Sequence, residues 1–361
     1  MVRLVVREKN FTSVNSLSQE NCMNLETVSR TIQQCNIKLF GVVLLTIAVG
    51  AAPLWAEGGE DGRGFDHVFI IMMENTGYNT LIGNANAPFT NFAAATTGLA
   101  TNYYGVAHPS QPNYIGATSG ALNGVVNDND ITIDVPNIVD QLEARGKTWK
   151  AYMQSYSLCI TPLDHACGNQ LYERKHNPFI SYKDVQTNPA RVAKIVDFSQ
   201  FATDLANNRV PNYVWISPDQ CNDMHGRAST ADDPCDFSQV PALIRTGDAF
   251  LLNTVNAIMT SKSWTGNSAI FIVWDESDFT GTGPDGFGDT SGCCDANPGG
   301  GHVLALVISN TLRFARSSGR PFNHYSLLST IQESWKLGCL GNTCDRRNVK
   351  PMRALAGPIG Q

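Results

Sequence analysis

Charge is scarce in this chain. Only 16% of its 361 residues are Asp, Glu, Lys or Arg, and the acidic ones outnumber the basic ones 32 to 26, a formal net charge of −6. That balance excludes a coiled coil and a charged disordered chain, and it argues against a basic nucleic-acid-binding surface. No Cys-x2-Cys pair occurs, so a zinc ribbon is excluded. No Gly-rich dinucleotide fingerprint follows any apolar run, and no internal repeat, low-complexity linker or composition shift divides the chain. The Gly- and Asp-rich stretch 280–301 lacks the regular spacing and terminal Glu of a calcium loop, and reads as a rim loop pinned by its cysteines.

What is present is apolar residue, glycine and cysteine: 42% hydrophobic, 31 Gly and 10 Cys. The one long apolar run, Leu39 to Ala56, follows Lys38, ends in small residues and gives way to Glu57-Gly-Gly-Glu60. It reads as a signal-peptide core with cleavage near Ala56, the alternative being a membrane anchor at the lower edge of spanning length. Residues 1–56 are therefore set aside as an extension and leader, with Met23 a possible start, and 57–361 is expected to be one catalytic domain. Beyond residue 56 the balance is 21 basic to 29 acidic residues, so any phosphate handled must be neutralised locally. Eight cysteines remain there, in four close-spaced pairs that suit local disulfides in an exported, periplasmic or extracellular protein. Adjacent Cys293 and Cys294 are not expected to bridge each other, because a vicinal disulfide strains the backbone.

Apolar runs of strand length alternate with helical patterns. Asp66–Glu74, Thr148–Met153, Asn212–Ser217, Ser268–Trp274 and His302–Ser309 read as core strands. Residues 134–146, capped by Asp134, and residues 239–261 and 324–337 read as helices. Strand–helix alternation implies a single α/β domain with a mostly parallel central sheet and helices on both faces. Trp149, Trp215, Trp264 and Trp335 are expected in the core, Tyr103 and Tyr104 near the pocket, and His67 and His165 in structural or surface roles.

Such sheets bind ligands at the carboxyl ends of their strands. Those ends carry Glu74-Asn75, then Pro218-Asp219-Gln-Cys-Asn-Asp223-Met-His225, then Asp275-Glu276. Carboxylates, amides and imidazoles on one rim are the donors of a hard divalent cation. Ser110, with Pro112 just after it, fits a helix N-cap. The same position suits an anion, and a metal that lowered the hydroxyl pKa would make it a nucleophile. Taken locally, the plain cap and the nucleophile both remain open.

The segment His108-Pro-Ser-Gln-Pro-Asn-Tyr114, with Glu74-Asn75 before it and Trp274-Asp-Glu-Ser277 after it, resembles the bacterial phosphoesterase family. That family holds acid phosphatases and phospholipases C within the alkaline phosphatase superfamily. Lys175-His-Asn-Pro-Phe179, Asn222-Asp-Met-His225, Gly299-Gly-Gly-His-Val303 and Asn323-His-Tyr-Ser-Leu-Leu328 extend the resemblance, in order, over about residues 66–337. The resemblance implies an alkaline-phosphatase-like fold and a metal-dependent hydrolase of phosphomonoesters of the acid-phosphatase type, working through a phosphoserine on Ser110. It makes Glu74, Asn75, Ser110, Asp275 and Glu276 metal contacts, with Asp219 and Asp223 candidates for the same site. It makes His225 and His302 catalytic candidates, and Asn75, Asn113 and His176 substrate contacts; His324 lies in a matching motif without an assigned role. Much of the superfamily has Asp-His where Asp275-Glu276 stands, which leaves room for one divalent ion of unspecified identity.

The expected partner is a small phosphate ester, with no nucleic acid and only transient or leader-mediated membrane contact. The rivals are a phospholipase C-type phosphodiesterase and, in another class, a secreted binder of phosphate and metal without turnover. A sulfatase is disfavoured, because no formylglycine-type Cys-x-Pro-x-Arg sequence occurs.

Overall fold

A computed structural model describes residues 64–278, 288–312 and 314–357. The expected leader, and residues 280–287 of the Gly- and Asp-rich stretch, lie outside the described residues. The described residues form eleven strands: β1 His67–Met73, β2 Gly98–Tyr104, β3 Trp149–Met153, β4 Ala166–Cys167, β5 Tyr172–Glu173, β6 Ile195–Asp197, β7 Tyr213–Ser217, β8 Ser268–Trp274, β9 His302–Ser309, β10 Arg316–Ser318 and β11 Phe322–Asn323. Nine of them make one sheet in the order β10-β2-β9-β8-β1-β7-β3-β6, with β11 also on β2, while β4 and β5 pair apart. The pairs from β8 through β1, β7 and β3 to β6 are parallel, and β9 runs antiparallel to both β8 and β2. The mostly parallel α/β sheet expected from the sequence is thus the one observed.

The central strands are apolar throughout because both faces are covered. All seven residues of β8 and all five of β7 are buried. On β3, Trp149 and Tyr152 point to opposite faces. Trp149 stacks on Phe179, which also meets Trp215, and Tyr114 of the helix Ser110–Ser119 packs against Trp215 on that side. Tyr152 packs on Phe201 of the helix Ser199–Ala206, whose neighbour Phe198 meets Phe250 of the long helix Val240–Thr260. Helices therefore cover both faces. Among the described residues no helix is long and apolar enough to cross a membrane.

Local details depart from the sequence reading in three places. The helix expected to start at a capping Asp134 instead spans Ile138–Ala144 and is capped by Asn137, whose side chain accepts from Val139 N while Asp140 reaches back to Asn137 N. Pro136 explains the shift, since it disfavours helix for the residue before it. Cys293 and Cys294 do bridge each other, beside Cys159–Cys167, Cys221–Cys235 and Cys339–Cys344. Among the described residues the other six cysteines pair with one another, which leaves each of these two its neighbour. The turn accommodates them by taking positive φ at Cys294 and Asp295. Ser110 is the first residue of its helix, and its side chain caps nothing.

Candidate functional site

Register builds the centre of the site. β1 and β8 pair residue for residue from His67–Ser268 to Met73–Trp274, so Glu74 and Asp275 leave the sheet side by side, joined by Asp275 N–H to Met73 O at 2.9 Å. Asn75 then takes a left-handed φ of 42°, a conformation Asn tolerates better than most residues, and its N–H donates to Asp275 Oδ1 at 3.1 Å. After β7 the chain turns on Asp219, and Glu74 N–H donates to Asp223 O at 2.9 Å, which fixes this third strand end against the first.

Ser110 faces that cluster from the start of its helix. Its hydroxyl lies 3.1 Å from Glu74 Oε2, 3.0 Å from Glu276 Oε1 and 3.5 Å from Asn75 Oδ1, all within donating reach. Tyr114, one helical turn on, donates to the other oxygen of Glu74. Behind Glu276 stands His108, whose Nδ1 meets Glu276 Oε2 while its Nε2 meets Asp289 O at 3.0 Å. The approach of this loop to β9 needs glycine: a Cβ on Gly105 would come within 2.6 Å of Asp275 O, and one on Gly300 within 2.4 Å of Ala107 O.

Electrostatically the site is starved of cations. Glu74, Asp223, Asp275 and Glu276 are all buried. Burial pushes the first three carboxyls well above their usual range, and mutual repulsion among them adds to it. Glu276 is also raised by burial, with the hydrogen bonds from His108 and Ser110 opposing. His176, stacked on Tyr114, is pushed well down by burial and by Lys175 and His225. Its Nε2 lies 3.3 Å from Glu74 Oε1 and its Nδ1 3.7 Å from Asp223 Oδ2. His176 Nε2, Asp223 Oδ2 and Asp275 Oδ2 are buried without a hydrogen-bond partner. Burying such groups unpaired costs several kcal/mol each. The oxygen donors of Glu74, Asn75, Ser110, Glu276, Asp275 and Asp223, with one neutral imidazole, are of the chemical kind that a hard divalent cation takes.

The structure brings Glu74, Asn75, Ser110, Asp223, Asp275, Glu276 and His176 together. It uses other expected residues differently. Asn113 is no free donor to a substrate: its amide oxygen accepts from Val106 N and Ala107 N, and its NH2 donates to Ala107 O and Pro109 O. With all four bonding positions filled, it holds the loop that presents Ser110. Asp219 is likewise a turn former, accepting from Cys221 N, Asn222 N, Asn222 Nδ2 and Ser155 Oγ. His302 opens β9, bonds Thr101 O at 3.1 Å and stacks on Tyr78, and none of these contacts reaches Ser110 or the carboxylates. His225 is half-buried beside His176, its Nδ1 on Gly226 O, and desolvation with Lys175 lowers it to about 4. His324 and Tyr103 form a brace under the site: Tyr103 OH meets His324 Nδ1 at 3.0 Å, and His324 Nε2 meets Asp275 O at 2.6 Å. The reading of His108-Pro-Ser-Gln-Pro-Asn-Tyr114 left out roles for His108 and Tyr114. The spacing of Tyr114 at i+4 from Ser110 was the signal for the second.

An α/β sheet whose strand ends converge on a helix-borne serine defines the class. The Phosphoesterase family model matches residues 84–338, and the chain belongs to that family. A probable acid phosphatase of Kluyveromyces lactis is 26% identical over 306 residues, covering 83% of this chain and 65% of that protein. The chain thus spans just under two thirds of the length of this relative. A phosphatidylinositol-3-phosphatase of Mycobacterium tuberculosis is also 26% identical over 306 residues, covering 83% of this chain and 87% of that protein. Among solved structures, the sulfatase PsFucS1 of Pseudoalteromonas superposes with a TM-score of 0.50 at 12% identity, covering 83% of this chain and 74% of that one, a likeness of fold alone.

Proposed function

We propose that the protein is an exported, divalent-metal-dependent phosphoesterase of the acid-phosphatase type, hydrolysing phosphomonoesters through a phosphoserine on Ser110. The observation that carries this reading is the Ser110 hydroxyl at 3.0–3.1 Å from two buried carboxylates, Glu74 and Glu276, beside the unpartnered Asp223 Oδ2, Asp275 Oδ2 and His176 Nε2. Glu74, Asn75, Asp275 and Glu276 would hold the cation, with Asp223 and His176 adjoining. When bound, it supplies charge neutralisation and a lowered hydroxyl pKa.

The protein's own residues then do the following. Ser110 Oγ forms the bond to phosphorus as the ester P–O bond breaks, and its proton passes to Glu276, which His108 orients from behind. The leaving alkoxide takes a proton from solvent. Water next breaks the Oγ–P bond, releasing inorganic phosphate and restoring the serine. Asn75 Nδ2, which donates to Glu276 Oε1 at 3.5 Å, would turn that donation to a phosphate oxygen. The four disulfides support export. The names of both relatives, each a phosphatase, support a monoester over the diester of a phospholipase C.

The test is phosphate release from p-nitrophenyl phosphate by the protein, by the chelator-treated protein and by Ser110→Ala across pH 4 to 10. Activity restored to the chelated protein by one divalent metal, and absent from the folded variant, supports the reading. Metal-independent activity, or equal activity in the variant, contradicts it.

A further inference from the structure

The net charge of −6 hides a reversal near the C-terminus. Residues 313–353 carry eight Lys or Arg and two acidic residues. Four of these cations converge on one cavity of about 590 Å³, formed by Arg320 after β10, Arg346, Lys350 and Arg353, with Phe322 and Pro351 in its wall. No carboxylate lines it, and it shares no lining residue with the Ser110 site. Glu333 is the carboxylate that answers these cations, pairing with Arg346 at 3.3 Å and with Arg353. Both pairs are solvent-exposed on the arginine side, where water weakens such pairs. Among the described residues neither Arg320 nor Lys350 pairs with a carboxylate, and the Lys350 ammonium donates to Arg346 O.

Two cations compensated by one shared carboxylate, and two by none, leave the concavity with net positive charge. In an acidic protein, like-charge crowding of this kind has a cost unless an anion relieves it. Guanidinium forks match tetrahedral oxyanions in pairs, and an ammonium adds a point charge. The volume lies in the range of ordinary small-ligand sites. The geometry points to a second anion site: we propose that Arg320, Arg346, Lys350 and Arg353 bind a phosphate-type oxyanion, free or as the headgroup of an anionic phospholipid. This site is independent of the catalytic reading and stands or falls separately from it.

Isothermal titration of the intact, metal-supplied protein with inorganic phosphate, and co-sedimentation with phosphatidylglycerol-containing against pure phosphatidylcholine vesicles, separate the two sources. The variant is R320S/K350S, which leaves the Glu333 pairs in place. The control is R209S/K262S, which removes the same net charge from exposed positions elsewhere. A second phosphate per chain, or retention on phosphatidylglycerol vesicles, that weakens at least roughly tenfold in R320S/K350S and not in the control supports the site. Turnover of p-nitrophenyl phosphate stays unchanged in both. Equal loss in the two variants would reduce the effect to net charge and overturn the proposal, as would phosphate and vesicle binding that R320S/K350S leaves unchanged, or the absence of both.

Discussion

Two carboxylate clusters in this molecule are charge-balanced to different degrees. On the surface, Asp140, Glu143 and Asp184 surround Arg191, which bonds all three, and Lys194 adds a second cation to Glu143 at 2.6 Å. Although burial alone would raise Glu143, its hydrogen bonds from Lys194, Trp149 and Arg191 bring it down to about 2. At the strand ends, Glu74, Asp223, Asp275 and Glu276 are more deeply buried, and all four are raised. Lys175 is the nearest full cation, and it is bound to Asp128 at 2.9 Å. Chemically alike side chains thus form a self-sufficient network in one place and an unfinished one in the other. The proposed cation would supply the positive charge that the second cluster lacks.

The largest break in the comparison comes from the group that the unfinished cluster serves. Ser110→Ala should lower kcat on p-nitrophenyl phosphate by about 10⁴-fold or more while leaving the melting temperature near that of the parent. Steady-state kinetics beside a thermal melt would show it. Asp275→Asn should act in opposite directions on the two properties. It should cut activity by about 10²-fold or more, yet raise the melting temperature of the metal-free protein by a few degrees, because it relieves a buried like-charge contact. A melt that falls instead would mean that the cluster is not repulsive.

The pH dependence separates Glu143 from the strand-end carboxyls by sign, while Asp184, raised by burial and by Asp140, goes with the latter. The strand-end carboxyls have raised folded values, so their contribution to stability is full below the ordinary carboxylate range, about 4, and is lost as pH rises through the raised values. The metal-free protein should therefore melt at lower temperature at pH 7 than at pH 5, and a saturating divalent cation should remove that slope. Glu143 runs the other way, since its depressed value means stability held above about pH 4.5 and lost as pH falls toward 2. The smallest effect belongs to Glu143→Gln. It is expected to cost under about 1 kcal/mol at neutral pH, because this partly exposed site is screened by solvent. Denaturant melts should show that cost shrinking toward pH 2.

Much of the frame was legible in the sequence, because fully buried parallel strands announce themselves as unbroken apolar runs. β1, β3, β7, β8 and β9 were read within a residue or two of their bounds. β2, Gly98–Tyr104, was missed because it alternates small, polar and aromatic residues next to the outer strands. The strand-end carboxylates and Ser110 were legible for the same geometric reason: parallel strands end on one rim. The individual roles of Asn113, Asp219 and His302 were not, because an amide, a carboxylate or an imidazole looks alike whether it binds a ligand or its own loop. Only the count of filled hydrogen-bonding positions distinguishes the two. The Cys293–Cys294 bridge departs from the strain rule because, among the described residues, the six other cysteines pair with one another.

The most direct test of the account is to quench the metal-supplied protein during turnover of a phosphomonoester and locate phosphate by peptide mass spectrometry. The account predicts phosphoserine at Ser110, lost on chase with water and absent when Glu276 is replaced by Ala. Turnover with no phosphorylated peptide at Ser110 under any quench, or phosphate on another residue, would contradict it.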